Sequence, residues 1–541
     1  MRTRFLAAAV ILLLALSIHA QMRESIEVRV LELEATVLDR AGHPVEGLKK
    51  EDFRVQVGKQ EAPVTNFFAV RNGTVLAESS PSPVARQQLA AETSIPTSLV
   101  IFVDELHLTP SSRRRAFKAL KQYVSANVGA NTTAMLIRYY NHFDVRLRPT
   151  ERPGPILAEL ERLEKSPIAD DLVRERARVI GLIDGVLGLN FSEPVAINGD
   201  SPDTIFGRLT EYAERRVTEV ERTLTALEEA IDLSSSFTGR RVLLYVSDGL
   251  PQTPGLEVFE YWDKMQMHAA VKMHRNGTIR LDSTEASRFD RSSAFRRVAE
   301  SAQRANVAIY AFDAAGTGGV EGRGVDALTM SDSLNTMSMH ANLRAGLQYV
   351  AEETGGLYVA NENDVNKVLA RMSEQFSTYY SIGIQPRRGE IRISVRNRPD
   401  LRVVAVRRTP PRSREERLEQ SLRSRLYTRS AENPLAITAE LGSPAKVNGQ
   451  CTVPVVVTMS QPALPAELTA PAYDMYLVML NEQNEETAVQ RVSVPVEGQR
   501  FARTMMLRVR PERHVLSLAV SNPASDETSF LQREIDATAC R

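Results

Sequence analysis

The rhythm of apolar and polar residues divides the chain into regions. Residues 24–37 (Glu-Ser-Ile-Glu-Val-Arg-Val-Leu-Glu-Leu-Glu-Ala-Thr-Val) largely alternate charged and apolar side chains. That alternation predicts a half-buried strand of an antiparallel sheet. A turn at Asp39-Arg-Ala-Gly42 and the run from Gly47 to Val70 predict further strands of one small β module, 21–75. Residues 76–95, rich in Ser, Ala, Pro and Gln, read as a linker. The pattern then changes. Ser98-Leu-Val-Ile-Phe-Val-Asp104 is apolar along its length and closes on a carboxylate, as do Arg241-Val-Leu-Leu-Tyr-Val-Ser-Asp248 and Val307-Ala-Ile-Tyr-Ala-Phe-Asp313. Unbroken apolar runs of this kind belong to strands buried on both faces of a parallel sheet.

Helical spacing fills the gaps, near 112–127, 153–165, 170–187, 204–233, 285–305, 336–353 and 364–376, with further strands at 133–140, 143–147 and 356–360. Val217, Val220, Leu224, Leu227 and Ile231 form the apolar stripe of the longest of these helices. Strands separated by helices predict a doubly wound, mostly parallel α/β sheet with helices on both faces over 96–376, interrupted by a helical insertion at about 168–233. Three short strands in 377–410 are too few to fold alone and are expected to complete the N-terminal β module. Residues 411–432, Arg-rich with interspersed Glu, predict a solvated helical linker. Six or seven short strands over 433–541, separated by Pro, Gly and Asn, predict a β sandwich.

Charge and targeting narrow the function. Lys+Arg and Asp+Glu both number 67, so the formal net charge is zero and no electrostatic case exists for nucleic acid. Arg2 and Arg4 precede the apolar run Phe5 to Ile18. This is the layout of a secretory signal peptide (1–20), shorter than the roughly 20 residues a membrane-spanning helix needs. The expectation is therefore an exported protein, periplasmic or secreted, with no transmembrane segment after cleavage. Cys451 and Cys540, the two cysteines, bracket the last β region. In an oxidising compartment they are expected to form a disulfide, with two free buried thiols as the alternative.

Taken in order, Leu99 to Asp104, Gly239-Arg-Arg-Val-Leu-Leu-Tyr-Val-Ser-Asp-Gly249, Ile309-Tyr-Ala-Phe-Asp313 and Thr354-Gly-Gly-Leu-Tyr358 resemble the von Willebrand factor type A (vWA) family. Gly47-Leu-Lys-Lys-Glu-Asp-Phe53 and Tyr379-Tyr-Ser-Ile-Gly383 look like its bacterial secreted VWFA-related branch. The resemblance spans about residues 25 to 410. It implies a vWA-like doubly wound domain that binds partners through loops at the carboxyl edge of the sheet; it leaves the C-terminal sandwich uncovered, and the β-sandwich-like modules flanking that domain rest on the strand pattern alone. It also implies a metal-ion-dependent adhesion site, whose first loop reads Asp-x-Ser-x-Ser in the family. Here that loop is Asp104-Glu-Leu106-His-Leu108, with leucine at both hydroxyl positions. Asp248 matches the third-loop acid; Thr204 and Thr225 are second-loop candidates. Two carboxylates without the hydroxyls make a poor octahedral cage, so no cofactor is expected, Mg²⁺ being the alternative.

No His-Glu-x-x-His, Gly-x-Ser-x-Gly, Gly-x-x-x-x-Gly-Lys-Ser/Thr or Gly-x-Gly-x-x-Gly motif is present, and no residue is marked as a nucleophile beside Asp104, Asp248 and His107. His107 reads as an exposed loop residue, Trp262 with Phe259 and Tyr261 as core packing, and the glycine-rich stretch 316–324 as a surface loop; Asp104 reads equally as a cap on the following helix or as a binding residue, and Asp248 and Asp313 equally as turn residues or as binding residues. The reading is an exported, non-catalytic binding protein for a protein or glycan partner. Its edge comprises 104–111, 141–143, 248–255 and 313–325, carrying Asp104, Glu105, His107, Asp248 and Asp313, with Arg113-Arg-Arg115 nearby. The alternatives are divalent-metal-dependent binding through Asp104, Asp248 and Thr204, an exported hydrolase, and a structural envelope component.

Overall fold

The computed structural model describes residues 31–541 except 80–94, 130, 168–170, 187–201, 236, 238, 273–282, 316–332, 360–364, 386–388, 406–412, 429–432, 461–471, 497–499, 526 and 541. The expected signal peptide and the glycine-rich stretch 316–324 lie outside the described residues, as does most of the expected linker.

The chain begins with β1 (Leu31–Leu38), β2 (Phe53–Val57), β3 (Gln60–Ala62), β4 (Val64–Arg71) and β5 (Thr74–Ser79). In β2 the buried positions are Phe53, Val55 and Val57, the period of two expected of a one-sided sheet. The β unit runs past the expected boundary at 75, as far as Ser79. Asn72 and Gly73 take positive φ and turn β4 into β5, which pairs back along it.

The central region carries β6 (Thr97–Asp104), α1 (Pro110–Asn127), β7 (Thr132–Tyr140), β8 (His142–Thr150), α2 (Pro153–Lys165), α3 (Asp171–Val186) and α4 (Pro202–Ser234). It continues with β9 (Arg240–Ser247), α5 (Leu256–Lys272), α6 (Ser292–Ala305), β10 (Val307–Asp313), α7 (Ser333–Glu353), β11 (Tyr358–Val359) and α8 (Val365–Ser377). Their sheet has the order β11-β10-β9-β6-β7-β8. Neighbouring strands are parallel except β8, which runs antiparallel to β7 at the edge. One face, through Val100, Phe102, Leu243 and Ile309, packs on α4, α6 and α7. The other, through Leu99, Ile101, Val246 and Phe312, packs on α1, α2 and α8. Each such side chain, fully buried, contributes about 1.5–3 kcal/mol. The fold is thus a doubly wound, mostly parallel α/β sheet with helices on both faces.

Two features of this region depart from the sequence reading. Helix α5 falls where no helix was expected, and 285–305 is not one helix but a 3-10 segment (Ser283–Phe289) followed by α6. Trp262 is 2% exposed within a cluster that includes Phe259, Tyr212 and Leu209, so it is core.

Strands β12 (Thr378–Ile384), β13 (Ile391–Val395) and β14 (Arg402–Ala405) return to the N-terminal strands. They form the orders β14-β1-β12-β4-β5 and β13-β2-β3 around Phe53, Phe67 and Tyr380. Helix α9 (Arg414–Ser424) follows, opened by a Ser413–Glu416 capping box. It is not simply solvated: Leu418 and Leu422, with Leu426 beyond its end, are buried in the cluster that covers α4.

The last strands are β15 (Ile437–Leu441), β16 (Ala445–Val447), β17 (Gln450–Ser460), β18 (Ala472–Asn481), β19 (Gln490–Pro495), β20 (Arg500–Val509), β21 (Arg513–Ser521) and β22 (Thr528–Asp536). They make two four-stranded antiparallel sheets, one with β15, β16 and β20 on β17, the other ordered β19-β18-β21-β22. Val455, Val457, Met475 and Leu518 fill the space between them. A Cys451–Cys540 disulfide joins β17 to the segment after β22, with Cα atoms 5.7 Å apart. Among the described residues no helix is long and apolar enough to cross a membrane.

Candidate functional site at the carboxyl edge of the central sheet

Because β6 is the first strand of the sheet and lies in its middle, the chain winds away from it in both directions. The crevice between β6 and β9 is the switch point where sheets of this order bind ligands. Val103 pairs with Val246, and Asp313 with Ser247, so Asp104, Asp248 and Asp313 share one rim.

Asp104 is fully buried. Its Oδ2 accepts from His107 Nδ1 at 2.8 Å and from the Tyr245 hydroxyl at 2.5 Å, and its Oδ1 from the His107 backbone N–H at 3.3 Å. Strand register explains the tyrosine: Phe102 pairs with Tyr245, the rings stack at 5.6 Å, and the phenol reaches the next residue on the same face. Burial, then the Asp104 charge, holds this phenol far above its ordinary pKa, so it stays a donor. Asp104 therefore ties the short 3-10 turn Glu105–His107 to β9 and does not cap α1. That cap is Thr109, whose Oγ1 accepts from Ser112 N–H, with Pro110 opening the helix.

The neighbouring acids are tied down as well. Glu105 is buried between Arg113 Nε at 2.7 Å and Arg138 Nε at 2.5 Å. Arg113 also donates to the carbonyls of Leu163 and Glu164, and Arg115 to those of Ala314 and Ala315. Two of the three arginines expected to face a partner thus bond inward. Asp248 Oδ2 accepts from Thr109 N–H at 2.9 Å. Asp313 Oδ1 accepts from Ala315 N–H at 2.9 Å, and Arg344 lies 3.6 Å from its Oδ2.

Above this network is a cavity of about 90 Å³. Leu106, Leu108, Leu172, Met339 and Leu343 provide apolar wall, and Arg176, Arg216, Asp248 and Glu257 add charge. His107 also lines it, and is buried rather than exposed, at 8% accessibility. Its Nε2 is buried with no hydrogen-bond partner. Tyr212 donates to Glu257 Oε1 at 2.8 Å, and Arg216 pairs with Glu219. The floor after β9 is bolted to α7: Leu250 N–H donates to Leu343 O at 3.0 Å, and Asn342 exchanges side-chain hydrogen bonds with Thr253.

Of the expected edge residues, His107 and Asp248 meet in this cavity, with Asp104 bonded to His107; Glu105 and Asp313 do not line it. The sequence reading missed Tyr245, Tyr212, Arg176 and Arg216. Tyr245 sits inside a run it had singled out; the other three are on helices α3 and α4, whose return to the rim has no local signal.

The donor set does not fit a hard divalent cation. Such an ion takes oxygens in octahedral array at about 2.0–2.1 Å for Mg²⁺. The Asp104 carboxylate already accepts from Tyr245 and His107, and leucines stand at both hydroxyl positions of the loop. Thr204 is exposed on the first turn of α4, away from the cavity, and Thr225 bonds back to Glu221 O. Among the described residues no three His, Cys, Asp or Glu side chains converge as a metal cage.

No family profile and no curated protein matches the chain. Among solved structures it is similar to an aerotolerance-related membrane protein from Bacteroides fragilis NCTC 9343 (12% identity, 52% of this chain and 98% of that one, TM-score 0.25). Another is the conserved hypothetical protein BatB from Bacteroides thetaiotaomicron (15%, 52% and 98%, TM-score 0.23). A third is the pilus adhesin SpaC from Lactobacillus rhamnosus GG (9%, 92% and 59%, TM-score 0.25).

Proposed function

We propose that this is an exported binding protein of the vWA kind, which recognises a protein or glycan partner at the carboxyl edge of its central sheet without a metal ion and without catalysis. The observation that carries the reading is the apolar-walled cavity at the β6/β9 switch point, standing where the family's adhesion loop carries hydroxyls and this chain carries Leu106 and Leu108. The sequence resemblance and the leader-like N-terminus support a periplasmic or secreted location.

The test uses the full chain immobilised against cell-envelope and culture-medium fractions, with and without a chelator. Saturable capture should survive chelation and fall at least about tenfold in Leu172→Arg, which places a long cation at the cavity wall; tenfold is about 1.4 kcal/mol. Capture abolished by the chelator would replace this reading with the metal-dependent one. Hydrolysis is a second reading, favoured by the Asp104–His107 pair, in which the carboxylate orients the imidazole and leaves Nε2 as a base. Turnover of a p-nitrophenyl ester that disappears in His107→Phe would establish it.

A further inference from the structure

We propose that the rim cavity accepts a neutral group with an apolar body and one hydroxyl or N–H donor, and that this donor is received by His107 Nε2. The inference rests on the binding reading above and specifies what enters the site.

The chemistry follows from the histidine. The Asp104 carboxylate only accepts, so the proton of a neutral imidazole sits on Nδ1 and Nε2 presents a lone pair. The Tyr245 hydroxyl and the His107 backbone N–H hold the same carboxylate in place, which fixes the ring that the carboxylate orients. Nε2 is then a buried acceptor without a partner, on a side chain 4% exposed, in a residue that lines a cavity. A buried polar atom left in this state has lost its water without gaining a partner. A ligand that supplies a donor recovers part of that loss.

Charge selects a neutral group. Arg176, Arg216, Asp248 and Glu257 line the same space, both signs together, and Arg216 is also paired with Glu219, so a net charge of either sign gains little. Shape selects a compact apolar body, because the leucines and Met339 form the wall. Size limits depth. At about 90 Å³ the cavity is smaller than the roughly 150 Å³ that encloses a benzene ring. A phenol would seat its hydroxyl end and leave the rest at the mouth, as a side chain projecting from a partner surface does. The same chemistry is available to a free phenolic compound.

The experiment titrates the full chain with p-cresol, with p-methylanisole (the donor methylated) and with toluene, read by calorimetry and by the ¹⁵N shift of labelled histidine. We expect p-cresol to bind about tenfold or more tighter than p-methylanisole, the scale of one neutral hydrogen bond, and to move the His107 Nε2 resonance. In His107→Phe the ratio should fall to about one while toluene binding is retained, which also reports that the variant is folded. Equal affinities in the wild-type chain, or no saturable binding of p-cresol, overturns the proposal without needing any variant. Competition of N-acetyl-tyrosinamide with p-cresol assigns the site to a protein side chain; p-cresol binding without that competition assigns it to a free small molecule. If Leu172→Arg abolishes capture of envelope material but p-cresol shows no selectivity, this inference fails and the binding reading stands.

Discussion

Asp104 and Glu105 are adjacent, both buried, and they tie the same turn to different partners. Asp104 joins it to β9 through the Tyr245 hydroxyl, whereas Glu105 joins it to α1 and β7 through Arg113 and Arg138. Tyr245→Phe removes a hydrogen bond to a buried carboxylate and should cost about 1.5–3 kcal/mol by urea denaturation. Glu105→Ala leaves two guanidiniums without their shared anion and should cost more, about 3–5 kcal/mol on the same assay. Calorimetric titration of the wild-type chain with Mg²⁺, Mn²⁺ and Ca²⁺ should give no saturable heat, since the Asp104 oxygens are already taken. The positions of these acids at strand ends were legible in the sequence. Their partners were not: Tyr245 lies 141 residues from Asp104, and only strand register sets it opposite.

The rim is held by elements that local patterning described unevenly. Gly249 has φ +109°, and a Cβ there would meet the Leu343 backbone oxygen at 3.0 Å. Gly249→Ala should therefore strain the turn and push α7 away from the cavity, lowering the melting temperature and weakening p-cresol binding together. Helix α9 shows the limit of a composition-based reading. Its charges are real, but Leu422 is fully buried. Leu422→Ala should cost about 2–5 kcal/mol, as for other buried leucines. Helix α5 escapes the sequence reading although Val258, Phe259, Tyr261 and Trp262, all buried, lie on one face of it at the spacing of a helical stripe.

Across the whole molecule, α9 and the β19-β18-β21-β22 sheet close over α4. Gln420 donates to Asp232 at 2.8 Å, and Arg423 to Glu486 at 2.5 Å. Glu229 on the same helix has its carboxyl pushed up to about 7, first by burial and then by Glu486 and Asp232, with Arg423 opposing. The native chain holds this proton more tightly than the unfolded one, so stability falls as pH rises from about 4.5 toward 7. Glu229 also keeps exposed surface, so solvent screens part of the effect and the change is small. Glu229→Gln should raise the melting temperature slightly at pH 8 and leave it unchanged near pH 4. At the other end of that module, the disulfide closes a sequence separation of 89. Reducing it should cost about 4–5 kcal/mol in the chain-entropy model, seen as an earlier melting transition of the C-terminal strands.

The sequence by itself determined the elements whose signals are local. These are the apolar strands closing on Asp104, Asp248 and Asp313, the alternating strands at both ends, and a first loop with leucine where a metal site would need hydroxyls. Side-chain periodicity and residue chemistry are properties of a few consecutive residues, so they survive in the linear chain. Tertiary structure alone decided that β12 runs between β1 and β4, that α3 and α4 return to roof the β6/β9 crevice, and that His107 is buried against Asp104. Each of these depends on packing between segments far apart in the chain, where the apolar area buried and the donors satisfied are sums over partners that no local window contains.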